Sequence, residues 1–348
     1  MRPRTKSGAG IGPRRASGRP ESWRTNVRRS LKSCPTHEAI PAFPMLAVLL
    51  FLSPAVFGWN ATGHRIAAAI AYDHLTPAAK QRVDALLEKH PDYATLFIRD
   101  APAEPEARAR AAFLAASVWP DVIRGDSRFY DDTRENAKPT PLLPGFPYMA
   151  RHTNWHYIDI PFSPDGAALE AVKPPNALTE LRRILKEINQ PGNDLVASYD
   201  LPWLIHLEGD VHQPLHCTSR FVQSQPKGDA GGNNVFVTPG RNLHALWDDA
   251  AGSDASDAYV NRFAAEITAE FVKRRGRHPR VSKDPKRWVR EGFELAKSDV
   301  YTFGSGTGSR EHPLALPEQY FADARRVARR QLALAGFRLA AILNEQFK

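Results

Sequence analysis

The sequence contains very little cysteine, with only Cys34 and Cys217 in 348 residues. An internal disulfide framework is therefore excluded once residue 34 is removed with an amino-terminal leader. The apolar run MLAVLLFL at 45–52 is too short to cross a bilayer as a helix. Internal repeats and a Pro/Ser-rich linker are also missing, so neither a repeat array nor a pair of linked domains is indicated.

The sequence also lacks net charge over most of its length. Its formal charge is +9, but residues 1–58 hold 10 Lys+Arg and only 2 Asp+Glu. Residues 59–348 retain 37 of the 47 basic and 36 of the 38 acidic residues, which leaves a net charge of +1. The basic character belongs to the amino-terminal segment and gives no argument about a substrate.

The amino-terminal segment predicts a leader followed by a folded domain. Residues 1–44 form a basic, disordered leader or a gene-model extension, since their Arg-, Gly-, Ser- and Pro-rich start has no hydrophobic period. Residues 45–58 fit a signal-peptide core with cleavage after Gly58, and an uncleaved apolar segment is the alternative. The domain would then span 59–348, begin at Trp59 and be secreted or periplasmic.

Residues 59–348 predict a single all-α domain with minor extended segments. Capping residues and hydrophobic spacing predict helices over 66–74, 77–89, 104–118, 176–189, 199–213, 256–274, 285–301 and 317–346. The aromatic and β-branched stretch NWHYIDIPF at 154–162 predicts an extended segment. The stretch GDAGGNNVFV predicts a Gly-rich turn and a short extended piece, and NLHALWDD then begins another helix.

The motif HLEGDVHQPLH at 206–216 indicates a metal site. His206 and Asp210 are four residues apart and share one helical face, while Pro214 breaks the helix before His216. An imidazole and a carboxylate so placed can bind one metal ion or join two. The apolar run DLPWLI before the motif points this face inward, where a carboxylate needs a partner or a metal ion. Spacing alone is weak evidence, because about 1.3 such pairs are expected by chance and the chain has two.

A larger set of nitrogen and oxygen donors accompanies this motif. Such donors suit zinc, and their mixture leaves room for water, which is typical of a catalytic site rather than a closed structural one. The set is too large for one ion and about right for three. The candidate metal ligands are Trp59 (as a free amino terminus), His64, Asp121, His156, His206, Asp210, His216, His244 and Asp248.

The chain resembles the zinc-dependent single-strand nucleases and 3'-nucleotidases of the nuclease S-one/P-one family, within the phospholipase C/nuclease P-one superfamily. The resemblance covers 59–348 and implies the all-α, multi-helix fold of that superfamily with a tri-zinc cleft. It rests on WNATGH at 59–64, SVWPDVIR at 117–124, NWHYID at 154–159, the motif at 206–216, GGNN at 231–234, NLHALWD at 242–248 and the tail LALAGFRLAAILNEQF.

The resemblance implies a ligand set for each of three zinc ions. Asp210 would bridge a close pair, and removal of the leader would free the α-amine that one ion needs. The first ion would take Asp121, His156, His206 and Asp210; the second the amino nitrogen and carbonyl of Trp59, His64 and the other oxygen of Asp210; the third His216, His244 and Asp248.

The resemblance also implies the reaction and its other residues. Metal-activated hydroxide would attack phosphorus in line and break the bond to O3', leaving 5'-phosphates. Arg124 would contact the phosphate and act with Asp121 and Asp210 as the catalytic set. Tyr157 would stack on an unpaired base, for which core packing is the alternative. The candidate substrate-binding residues are Tyr157, Asp159, Asn233 and Asn234, and a simple tight turn is an equal interpretation of the two asparagines.

The expected function is thus a zinc-dependent endonuclease for single-stranded RNA and DNA with 3'-nucleotidase activity. No stable protein partner is implied, and a monomer is expected. A secreted zinc phospholipase C is the alternative enzyme, and a zinc-binding helical protein without activity is the non-enzymatic alternative. His212 is expected to support the site or the fold without binding metal, and a structural role is favoured for Cys217.

Overall fold

A computed structural model describes residues 59–276 and 279–348, so the predictions for the leader and cleavage region at 1–58 lie outside the described residues. The described part is mainly helical, which confirms the all-α fold class. None of its helices is both long and apolar enough to span a membrane.

The described residues form ten α-helices joined by loops and short turns. Tighter 3₁₀ turns cover Ile123–Gly125, Thr153–His156 and Pro214–Cys217, and π-helical turns cover Tyr93–Phe97 and Ala296–Val300. The α-helices are α1 (Ala61–Asp73), α2 (Pro77–Glu88), α3 (Pro105–Ala116), α4 (Trp119–Val122), α5 (Ala177–Glu187), α6 (Asp194–Asp210), α7 (Leu243–Asp248), α8 (Asp257–Arg275), α9 (Pro285–Leu295) and α10 (Glu318–Gln346).

Four strands of two residues each form two small sheets among the described residues. Strand β1 (Pro161–Phe162) pairs in parallel with β2 (Ser219–Arg220), and β3 (Phe236–Val237) pairs antiparallel with β4 (Arg241–Asn242). The first pair holds the chain after His156 beside the chain after His216. The second closes the turn at 238–240, and α7 begins directly after β4.

Helix starts follow the capping residues. The Thr76 side chain accepts from the Ala79 amide ahead of Pro77, as expected, and Asn176 forms a capping box at the start of α5. Helix α1 begins five residues earlier than predicted, because Asn60 caps it by accepting from the Gly63 amide. The central helix also begins five residues earlier, at Asp194.

The prediction of an extended segment at 154–162 was wrong in its first half. Residues Thr153–His156 form a 3₁₀ turn, entered through His152 in the left-handed conformation at φ 49°. The His152 ring stacks on Trp155 with 3.7 Å between ring centroids. Aromatic content at these positions therefore serves packing around a turn, and strand pairing begins only at Pro161.

Helix α6 lies at the centre of the domain. Every residue from 197 to 210 is buried, so the helix has no solvent-facing side after its first turn. Around it, α1 packs closely on α10 at Gly336, where an added Cβ would lie 2.5 Å from the Ile70 Cβ. The carboxyl end of α6 carries His206 and Asp210 into this interior.

Candidate metal centre

Six short segments, α6 among them, converge at the carboxyl end of α6. Each is fixed locally by a cap, a 3₁₀ turn or a strand pair, so that the donors arrive from different directions. The side chains brought together are His64 of α1, Asp121 of α4, His156 of the turn before β1, His206 and Asp210 of α6, His216 of the turn before β2, and His244 and Asp248 of α7.

The carboxylate of Asp210 lies at the middle of this group. Oδ2 is 3.2 Å from both His156 Nδ1 and His206 Nε2, whereas Oδ1 is 3.4 Å from His64 Nε2. Asp210 is fully buried, and neither oxygen has a hydrogen-bond partner among the described residues. A buried carboxylate in that condition is very unfavourable unless a cation satisfies it. Its two oxygens face different ligands, which is the geometry of a bridge.

The first group of donors closes around Oδ2. The Nε2 atom of His206 lies 2.9 Å from His156 Nδ1, and the His64 ring stacks on the His206 ring at 3.9 Å. Asp121 is 10% exposed at the edge of the group, with Oδ1 3.8 Å from His156 Nδ1 and 3.9 Å from His206 Nε2. These distances leave space for a cation between the donors and access from solvent on one side.

A separate group forms between α7 and the turn Pro214–Cys217. The Nε2 atoms of His216 and His244 are 3.0 Å apart, and Asp248 Oδ1 lies 3.7 Å from His244 Nε2. Gln213 donates from Nε2 to that same Oδ1 at 2.8 Å, which orients the carboxylate. Two imidazoles and one carboxylate make a usual three-residue set for zinc.

Backbone carbonyls orient three of the histidines. The Nδ1–H of His206 donates to the Ser117 carbonyl at 2.7 Å, that of His216 to the His156 carbonyl at 2.6 Å, and that of His244 to Gly231 at 2.7 Å. Because a carbonyl can only accept, these bonds fix the tautomer and present each Nε2 towards the cluster.

The ionisation of the cluster matches a cation site. Burial, reinforced by His206, lowers the pKa of His64 to about 4, so this ring is neutral and able to bind a metal ion. Burial also disfavours charge on His206, but the carboxylates of Asp210 and Asp121 outweigh it and raise the His206 pKa to about 9. The carboxylates thus attract a proton to the cluster in the place where a metal cation would neutralise them.

The donors form three groups that could each hold a metal ion, of which the first two share His206 and the third is separate. Within each group, one ligand atom per residue lies within 4.8 Å of the others. Every predicted side-chain ligand falls in one of them, although their binding of metal stays a prediction. The groups are His64, Asp121 and His206; His156, His206 and Asp210; and His216, His244 and Asp248.

Trp59 lies beside the cluster at the start of the described chain. Its side chain is fully buried and packs on Gly63, where an added Cβ would lie 2.6 Å from the Trp59 Cβ. The next residue, Asn60, donates to Asp249 Oδ1 and to the Gly252 carbonyl, which fastens this end of α1 to the loop after α7. The predicted role of the Trp59 α-amine depends on cleavage of residues 1–58 and stays a prediction.

Arg124 lies in the turn after α4, beside Asp121. Its Nη1 donates to Asp121 Oδ1 at 3.4 Å, and both side chains are 10% exposed. The guanidinium is therefore at the mouth of the cluster, where it can reach an anion that approaches the metal ligands from solvent.

A cleft of about 560 Å³ contains three of the four predicted substrate-binding residues, Tyr157, Asp159 and Asn234. Burial, with the nearby charges of Asp229 and Glu170, raises the pKa of Asp159 to about 6. Asn233 does not line the cleft. Its Nδ2 donates to the Ala230 carbonyl at 2.8 Å, so the structure favours the tight-turn interpretation for this residue.

Glycines make room for the histidines. At Gly209, which precedes Asp210, an added Cβ would lie 2.9 Å from His64 Nδ1. At Gly231, with φ +60°, it would lie 2.6 Å from the Leu215 carbonyl oxygen. The left-handed conformation at Gly231 also aims its carbonyl at His244.

His212 supports the fold and lies outside the metal-binding groups. Its Nδ1 donates to the Glu208 carbonyl at 2.6 Å, and Arg338 Nη1 donates to its Nε2 at 2.8 Å. Arg338 also pairs with Glu291 of α9, so the end of α6 is joined to α9 and α10. This contact agrees with the expectation that His212 is a supporting residue.

Sequence patterns did not identify the residues that orient the ligands. Asp92, 1% exposed, accepts from Trp119 Nε1 at 2.8 Å and from Arg128 Nη1 at 2.7 Å. It thereby ties both ends of the segment that carries Asp121. No spacing relates Asp92 or Gln213 to their partners, and a carbonyl that orients a histidine has no signature in side-chain identity.

Comparison with known proteins agrees with this geometry. A family model described as S1/P1 nuclease matches residues 59–348. Endonuclease 2 of Arabidopsis thaliana is 26% identical over 313 residues, which cover 86% of this chain and 94% of that protein. Nuclease S1 of Aspergillus oryzae is 23% identical over 326 residues, covering 86% of this chain and 96% of that protein. Endonuclease 3 of Arabidopsis thaliana is 31% identical over 163 residues, covering 42% and 51% respectively.

Proposed function

We propose, from the premise that this chain belongs to the S1/P1 nuclease family, that it hydrolyses single-stranded RNA and DNA to 5'-phosphorylated products and also removes the phosphate of 3'-nucleotides. Family membership makes the chain a nuclease, a phosphodiester hydrolase that acts on nucleic acid. The proposal adds strand specificity, the second activity, three zinc ions, a monomeric state and a secreted or periplasmic location. The observation that carries it is Asp210, whose two oxygens face separate donor groups with no hydrogen-bond partner.

The resemblance implies an assignment of these donors to three ions, and we adopt it in the proposal. Bound ions would supply a water molecule that is deprotonated near neutral pH and positive charge for the phosphate oxygens. The first site would use Asp121, His156, His206 and one oxygen of Asp210. The second would use His64, the other oxygen of Asp210 and the amino terminus at Trp59, and the third His216, His244 and Asp248.

The remaining residues would hold the substrate. Arg124, at the mouth of the cluster, would donate to non-bridging phosphate oxygens and stabilise their charge. Tyr157 would stack on a base in the cleft, with Asp159 and Asn234 offering polar contacts to it. A stacking site of this kind requires a base that is already unstacked, which favours single strands.

Activity is expected to depend on metal and on the amino terminus. The protein beginning at Trp59 should release 5'-nucleotides from single-stranded DNA and RNA and phosphate from 3'-AMP, since all three present a phosphate ester at O3'. A chelator should abolish both activities, and zinc should restore them. Liquid chromatography of the products and metal analysis of the protein measure these outcomes.

Two controls accompany this assay. The same protein with one residue added before Trp59 should lose one ion, because its α-amine no longer reaches the site. Hydrolysis of phosphatidylcholine without cleavage of single-stranded DNA would instead favour the zinc phospholipase C. Metal binding without turnover on any of these substrates would favour the non-enzymatic alternative.

Replacement of Tyr157 with alanine is expected to raise KM for a dinucleotide while kcat stays nearly constant. Loss of one stacked base costs about 1–3 kcal/mol, or roughly 5- to 150-fold in KM. Tyr157→Phe is the matched control, because it keeps the ring and should keep KM within about twofold of the wild type. A fall in Tm with unchanged KM would assign Tyr157 to core packing.

A further inference from the structure

A concave, arginine-lined surface lies between α8 and α10, on elements that carry none of the metal ligands. The concavity has a volume of about 500 Å³, and the apolar residues that line it include Phe271 and Ala333. Glu270 is the one carboxylate among the described residues that line it. We call this surface the arginine groove, defined by Arg274, Arg275, Arg325, Arg326, Arg329 and Arg330.

The arginine groove carries a local excess of positive charge, because its six arginines are accompanied by four paired carboxylates. Arg326 pairs with Asp299 and Asp323, and Arg329 pairs with Glu266 and Glu270. The other four arginines of the groove are exposed and have no salt-bridge partner among the described residues. Residues 59–348 carry a net charge of only +1, so this concentration does not follow from a basic composition. It marks a surface suited to a polyanion.

The arginine groove is continuous with an aromatic depression. Arg325 and Arg329 also line this second hollow of about 380 Å³, together with Tyr259, Phe263 and Phe321. The Tyr259 and Phe263 rings stack with 5.6 Å between centroids, and both are partly exposed. Aromatic faces beside arginines are the usual surface for a single-stranded nucleic acid.

The far side of the aromatic depression is formed by the chain segment that directly follows Asp248, one of the candidate metal ligands. Asp249 and Gly252 line it, and both accept hydrogen bonds from Asn60, which follows Trp59 and caps α1. From Phe321 to Ala333, α10 rises about 18 Å along its axis. The basic surface is thus long enough to contact more than one phosphate of a single strand.

We propose that the arginine groove is an exosite that binds the phosphate backbone of a single-stranded nucleic acid away from the bond that is cut. The proposal rests on the proposed function, since it assigns the groove to the same polymeric substrate. A concave surface with charge along its walls fits one strand better than a flat lipid surface. Long substrates should gain affinity from the groove, whereas a dinucleotide held in the cleft should not reach it.

The test compares a double charge reversal, Arg325→Glu/Arg330→Glu, with a control double variant, Arg99→Glu/Arg182→Glu. The control changes the net charge equally at two exposed arginines outside the groove. For a single strand of about 30 nucleotides, the groove variant should raise KM about tenfold or more with unchanged kcat. The slope of log KM against log salt concentration should become shallower by roughly 1.4, because two phosphate contacts are lost. Both variants should cleave a dinucleotide like the wild type.

Three results would overturn the exosite. The first is an equal rise in KM for the long strand in both double variants. The second is a loss of activity on the dinucleotide in the groove variant as large as its loss on the long strand. The third is binding to anionic phosphatidylglycerol vesicles that depends on the groove, with a KM for the strand that does not. Should the wild type cleave neither substrate, the proposed function fails separately. Fluorescence anisotropy of the labelled strand with the same proteins then still tests the groove.

Discussion

Replacing Asp210 with alanine is expected to remove two of the three metal ions and to lower kcat by about a thousandfold or more. The carboxylate faces His64 through one oxygen and His156 and His206 through the other, so its loss opens two ligand sets at once. Metal-based charge stabilisation is worth several kcal/mol, which corresponds to about three decades in rate. Metal content by mass spectrometry and steady-state kinetics on single-stranded DNA measure both effects.

The matched control is Asp248→Ala. Asp248 belongs to the group of His216 and His244, which has no member in common with the other two groups, so this variant should lose only one ion. Loss of a single ion from Asp210→Ala would contradict the bridging assignment. Loss of all three would show that the third group depends on the first two.

Replacing Asp92 with alanine is expected to lower both stability and activity, although Asp92 lies outside the metal-binding groups. The free energy of unfolding should fall by about 3 kcal/mol, near the lower end for a broken buried ion pair. The lower end applies because Arg128 is 35% exposed and also pairs with Asp126. Trp119 loses its hydrogen-bond acceptor, and the segment that holds Asp121 is released. A shift of about 1 Å in a catalytic group can cost roughly a hundredfold in rate.

The measurement for Asp92 separates positioning from folding. Kinetics are recorded well below the Tm of the variant, where a merely structural role leaves kcat unchanged. Asp126→Ala is the control, because Asp126 binds Arg128 but not Trp119 and should retain most of the activity. The conservative Asp92→Asn variant retains an acceptor for Trp119 and should recover part of kcat.

The sequence predictions succeeded where the interactions that form a structure act between residues close together in the chain, and they failed where tertiary packing decides. Caps such as Thr76 and Asn176 act within three residues, so the helices that they begin were predicted correctly. The start of α6 was missed by five residues, since burial on every side removes the amphipathic pattern that marks a boundary. The turn at Thr153–His156 was missed because aromatic side chains indicate that a segment is buried but do not indicate whether its backbone pairs as a strand.

The family and the nuclease function were confirmed, whereas the individual site roles stay predictions. The order of six motifs supported the family, which a single His-to-Asp spacing could not do. The base-binding set divided in the structure: Tyr157, Asp159 and Asn234 share the cleft, and Asn233 is used within its own turn. Adjacent asparagines in a Gly-rich turn look alike in sequence, and only the backbone path separates them.

The sequence by itself determined the kinds of donor, their order and the helical pairing of His206 with Asp210, because these depend on residue identity and on the period of one helix. Tertiary structure decided which donors meet, since His64 approaches Asp210, and His216 approaches His244, through the packing of separate segments. The tertiary structure also decided which backbone carbonyls orient the histidines. It created the arginine groove as well, since the arginines on α8 and those on α10 are about 50 residues apart in the sequence. Charge concentrates there because two helices pack side by side, and composition records only a domain with a net charge of +1.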